Sequence, residues 1–161
     1  MGTGGTVDSV RLELPPLPAS VTAARHAVDE LASQFDCDIG AARIAVSEAV
    51  GNCVLHAYVD REPGPILVLA REIEGYLVIT VADCGGGIRP RLDSPGLGIG
   101  LPIVGRIADD VQIESDGLGT AIVISLAIAS ESPARAAAET KEIGAELARA
   151  RELIRATALC G

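Results

Sequence analysis

A chain of 161 residues with a formal charge of −9 is long enough for one domain with a buried core, and its charge excludes a duplex-binding surface, which needs clustered Lys and Arg. Only three residues are aromatic, so Val, Ile, Leu and Ala must fill that core. No apolar run reaches the ~20 residues of a membrane span, and "MGTGGTVDSV" lacks the basic and apolar regions of a signal peptide, so the expectation is a cytoplasmic chain.

"VDSVRLEL" (7–14) alternates like a strand and "PPLP" ends it. Ser20 or Thr22 is placed to cap a helix running to about Phe35. A second helix is expected from about Ile39 to Tyr58. "GPILVLAREIE" and "YLVITVAD" flank Gly75 and predict a hairpin. Beyond a glycine-rich stretch come a helix over about 101–110, a strand "VQIES", a turn "DGLG" and a strand "TAIVISLAI". Residues 133–158 are Ala-rich and helical in pattern, with an apolar stripe of Ile143, Leu147, Ala150 and Ile154. That stripe either packs on its own domain or serves a dimer or partner. The order predicts an α+β fold: a two-layer α/β sandwich, its mainly antiparallel sheet covered by helices on one face, plus a C-terminal helix. Cys37, Cys53, Cys84 and Cys160 show no C-x-x-C spacing, which argues against zinc and against a redox pair. Cys53 and Cys84 read as small core residues.

Three segments carry chemistry. In "AARIAVSEAVGNCVLHAY", helical spacing puts Val46, Val50, Cys53 and Ala57 on one face. Glu48 and Asn52 lie together opposite, flanked by Ala41, Ala45 and Gly51. A carboxylate there can take a proton, and an amide oxygen is a hard ligand suited to magnesium. A solvated helix face has the same pattern. Asp83-Cys84-Gly85-Gly86-Gly87 ends a strand, where Asp83 can accept from an amino group such as that of adenine and Gly85 and Gly87 can admit a flat ring. A plain strand-to-loop turn favours the same residues. In "PGLGIGLPIVGRIADD", Gly96, Gly98 and Gly100 alternate with Leu97, Ile99 and Leu101 and run into a helix whose first turn tolerates Pro102. Such a helix start offers free N–H groups to phosphate. Ile103 breaks the dinucleotide fingerprint, and the only lysine, Lys141, is too distant for a P-loop.

In this order the segments resemble the ATP-binding superfamily of gyrase, histidine kinases and mismatch-repair ATPases, which share the Bergerat fold. Glu48 and Asn52 match its N box, Asp83, Gly85 and Gly87 its first glycine box, and Gly96, Gly98 and Gly100 its second; Gly119-Thr120 match the short "GT" of the last strand. Within it, "SEAVGNCVLHAY" is most similar to the bacterial anti-sigma factor serine kinases of partner-switching systems. The resemblance implies ATP and Mg2+ as cofactors, with Asn52 holding magnesium, Glu48 acting as base and Asp83 reading adenine. It implies that Gly85, Gly87, Gly96, Gly98, Gly100 and Leu101 line the nucleotide, that Thr120 supports the adenine end, and that Arg25 meets protein partners. Such a homodimeric kinase binds a sigma factor and phosphorylates a serine on an anti-anti-sigma protein, touching neither nucleic acid nor membrane. The alternatives are a non-catalytic ATP-binding protein that sequesters a partner, and a switch kinase of a stress-signalling complex. The lid "IRPRLDSP" is short and lacks lysine, leaving Arg89 or Arg91 for the γ-phosphate. The implied division is a disordered N-terminus (1–6), a kinase domain (7–129) and a helical extension (130–161).

Overall fold

The alternation of Val10, Leu12 and Leu14 with Ser9, Arg11 and Glu13 makes strand β1 (Ser9–Leu14), whose Val10 is buried. The structure, a computed structural model, describes residues 8–87, 100–129 and 136–156. Helix α1 (Pro18–Ala32) begins earlier than the sequence implies. Pro18, preset for the first turn, starts it after Leu17, and no side chain caps it. Ser20, the expected cap, instead donates its hydroxyl to the Pro15 carbonyl at 2.6 Å. The helix also stops short of Phe35.

Helix α2 (Ile39–Asn52) is capped by Asp38, which accepts from the Ala41 N–H at 2.9 Å. The expected continuation to Tyr58 is helical but not α: Cys53–Ala57 form a π turn. Strands β2 (Ile66–Ile73) and β3 (Tyr76–Asp83) form the predicted hairpin. Its two turn residues, Glu74 and Gly75, have φ of 49° and 86°, the left-handed pair that a tight hairpin needs. Helix α3 (Gly100–Ile107), strand β4 (Asp110–Asp116), strand β5 (Gly119–Ala127) and helix α4 (Ala136–Ala156) complete the chain.

The five strands lie in the order β1-β2-β3-β5-β4, and every pairing is antiparallel. Period-2 alternation divides the strands between two cores. Val68, Ile79, Val81, Ile122 and Ile124 face Val28 and Leu31 of α1, Val46 and Val50 of α2 and Val104 of α3. Leu67, Val78, Ala82, Ala121 and Val123 face the other way, against Leu147, Ala150 and Ile154 of α4. The apolar stripe of the tail therefore packs on its own sheet. Helices cover both faces rather than one, because β2, β3 and β5 are apolar on both sides. The side chain of Ile143 lies outside the described residues.

Candidate functional site

Asp83 ends β3 with its carboxylate buried. One oxygen accepts from the Gly85 N–H at 2.8 Å; the other accepts from the Cys53 thiol at 3.3 Å. Thr120, the partner of Asp83 across β3 and β5, stands beside it, and its N–H helps keep the carboxyl from rising further. Burial raises the carboxyl above the ordinary Asp range, and these hydrogen bonds together with the Arg61 charge hold the rise in check. Thr120 is buried too, and its hydroxyl lies 3.1 Å from that of Ser115.

Glu48 and Asn52 fall one turn apart on α2, both half-buried. Among the described residues neither side chain makes a hydrogen bond or an ion pair. The alanines beside them have a different role from the one expected: Ala41 and Ala45 are core residues. The π turn links this helix to the end of β3. The Ala57 carbonyl accepts from the Gly86 N–H at 2.9 Å, and the Cys53 thiol reaches Asp83. Tyr58, just beyond, donates to the Pro65 carbonyl at 2.6 Å and accepts from the Cys84 N–H at 3.1 Å. Burial pushes its hydroxyl up to about 12.

The glycines of this turn are explained by protein backbone. A Cβ on Gly85 would stand 1.9 Å from the Ala57 carbonyl oxygen. Gly87 has φ +73°, and a Cβ there would stand 2.3 Å from the Asp116 carbonyl oxygen. On the side a Cβ would occupy, the space beside these two is filled by Ala57 and Asp116. Gly119, at φ +145°, is under the same constraint against the Asp83 carbonyl oxygen. Cys84 packs against the second core, as expected, and is disulfide-bonded.

Gly100 opens α3, with Leu101 in its first turn. Gly96, Gly98, Arg89 and Arg91 lie outside the described residues. Arg25 is half-buried on α1, on a different element from the Asp83 cluster. Sequence reasoning passed over Cys53 as a donor. Its place directly after Asn52, on the face turned toward the sheet, was the available signal. Among the described residues no His, Cys, Asp and Glu side chains cluster as a metal site, and no helix is long and apolar enough to cross a membrane. An amide and a carboxylate oxygen without partners among the described residues, at Asn52 and Glu48, fit a magnesium ion that keeps its waters and shares phosphate ligands.

Residues 14–126 match the family described as a histidine kinase-like ATPase domain. The chain is 32% identical to the anti-sigma F factor of Caldanaerobacter subterraneus, over 62% of this chain and 79% of that one. It is 30% identical to the serine-protein kinase RsbW of Oceanobacillus iheyensis, over 77% of this chain and 89% of the relative. The solved RsbU and RsbW domains of a Mycobacterium tuberculosis protein share its fold, with a TM-score of 0.61 and 20% identity over 76% of this chain. The chain spans about a third of that protein, 33%.

Proposed function

The chain belongs to the histidine kinase-like ATPase family, and from that premise we propose that it is an ATP-dependent serine kinase of the anti-sigma type. It binds a sigma factor and phosphorylates a serine of an anti-anti-sigma protein, acting as a cytoplasmic homodimer. The observation that carries this reading is the pairing of a buried acceptor, Asp83, with two polar side chains, Glu48 and Asn52, that have no partner among the described residues, on the adjoining helix.

Asp83 accepts from the adenine amino group, and Thr120 closes that end of the site. Asn52 holds magnesium, which neutralises charge on the triphosphate. The free N–H groups at the start of α3, with Gly96, Gly98, Gly100 and Leu101, receive the phosphates. Glu48 takes the proton of the substrate serine as its oxygen bonds to the γ-phosphorus and the bond to the β-phosphate oxygen breaks, releasing ADP. Positioning and charge neutralisation supply the catalysis. Arg25 belongs to the partner surface.

The test uses Glu48→Gln, radiolabelled ATP and candidate anti-anti-sigma partners. The variant should bind ATP and partner as the wild type does while losing phosphate transfer by roughly 10²–10⁴. A wild type that binds such a partner and never phosphorylates it would point instead to a sequestering protein.

A further inference from the structure

We propose that Cys53 is the positioning residue of nucleotide selection, its thiol orienting Asp83 so that the site accepts an amino-purine and rejects an oxo-purine; this rests on the nucleotide reading above. A carboxylate offers about four lone-pair sites. Two donors from two parts of the fold hydrogen-bond Asp83, the Gly85 N–H from the loop and the Cys53 thiol from the π turn, and Thr120 stands across from it on β5. The Gly85 donor is backbone, fixed by the turn. Among the described residues the thiol is the one side-chain donor to this carboxylate.

The geometry gives that donor a purpose. Cys53 is 2% exposed and Asp83 4%, so neither finds water as a substitute partner. With Cys53 in place, one Asp83 oxygen is anchored by the thiol and the carboxylate keeps lone pairs open to a ligand. An exocyclic amine can donate to it; a carbonyl oxygen in the same position meets only repulsion. Without the thiol, one oxygen loses its partner, the side chain is freer to turn, and the desolvated carboxyl takes up a proton more readily. A protonated Asp83 donates, and so tolerates the oxo group.

The experiment compares ATP with inosine triphosphate, which replaces the amine by a carbonyl, by calorimetric titration of the full chain. Cys53→Ala should weaken ATP about three- to tenfold, less than the range for a hydrogen bond to a charged group because thiols are weak donors, and leave inosine triphosphate unchanged or tighter. Cys53→Ser, which restores a donor, should bring the ratio back. Cys53→Val keeps the side chain apolar and lacks the donor, so it should repeat the Ala result even if Cys53→Ala does not fold. The second readout is the pH profile. The groups that bear on Asp83 through charge are Cys53, Tyr58 and Arg61, and the latter two are untouched in these variants. ATP binding should therefore fail at a higher pH in Cys53→Ala than in wild type, and return in Cys53→Ser. Equal losses for both nucleotides, with an unmoved pH profile, would show that Cys53 only fills space and would overturn the proposal. A wild type that binds neither nucleotide overturns the nucleotide reading, and the proposal with it.

Discussion

Asp83 is costly to the fold at neutral pH, and that cost is informative. Its carboxyl sits above the ordinary Asp range because burial outweighs the hydrogen bonds it receives. The folded chain therefore holds this proton more tightly than the unfolded chain does. Its contribution to stability is fully present below the ordinary carboxylate range and is lost as pH rises through the raised value. Nucleotide binding should run the other way, since only the ionised form accepts from an amine. Affinity for ATP should thus decline on acidification before pH reaches the ordinary Asp range, and titrations at a series of pH values will show where. Asp83→Asn removes the charge, and an amide offers the amine a weaker acceptor. We expect ATP affinity to fall by roughly one to two decades, from the loss of a charged hydrogen bond of roughly 1.5–3 kcal/mol. A folded Asp83→Asn protein with wild-type affinity would remove Asp83 from the proposed adenine contact.

At the scale of elements, the turn after β3 is an assembly of close backbone contacts rather than a flexible loop. Gly119 illustrates it: a Cβ there would stand 2.1 Å from the Asp83 carbonyl oxygen, at φ +145°. Gly119→Ala adds both strain and overlap, so it should cost roughly 2–5 kcal/mol and weaken nucleotide binding by displacing Asp83. Gly105, inside α3, has nothing within 4 Å of the same added atom. Gly105→Ala should stabilise by about 0.5–1 kcal/mol, the helix propensity difference. Urea denaturation of the two variants checks both signs. This contrast marks what the sequence makes legible. Strand alternation and the Glu74-Gly75 hairpin follow from local patterns, so the order of elements was readable, whereas the neighbourhood of Asp83 and Thr120 was implied only by the resemblance. The reason for each glycine was not, because it depends on Ala57, Asp116 and Asp83, which the chain brings together from distant positions. The π turn was equally hidden: one extra residue per turn leaves no mark on the apolar spacing of Cys53 and Ala57. The start of α1 was misread because Ser20 suits a cap in isolation, whereas Pro18 decides it.

On the scale of the whole molecule, α4 converts a sheet with one covered face into a three-layer structure. The stripe at Leu147, Ala150 and Ile154 was visible in sequence, but its target was not, because any apolar surface satisfies the same periodicity. The sheet supplies that target in Leu67, Val78 and Val123. Charged pairs then fix the helix to the strands. Glu146, buried, meets Arg71 at 2.6 Å. Arg151 reaches Glu114 at 3.0 Å and also Asp116, which Arg155 contacts at 3.1 Å. The Leu118 N–H, foremost, and these arginines hold the Asp116 carboxyl below its usual range, so its share of stability is present above that range and lost as pH falls. Removal of α4 would uncover the second core on β2, β3 and β5, and would leave Glu146's partner on the sheet without its carboxylate. A chain ending at Ala129 should therefore lose cooperative unfolding and aggregate, rather than persist as a nucleotide-binding domain. Leu147→Ala tests the same point without truncation: it should destabilise by about 2–4 kcal/mol, the range for emptying a buried leucine site. Sizing chromatography separates this from a partner role, because a packing defect lowers the melting temperature while leaving the oligomeric state of the folded fraction as in wild type. A truncated chain that melts cooperatively and binds ATP normally would show instead that the layer on α1 and α2 suffices, and that α4 is an appendage.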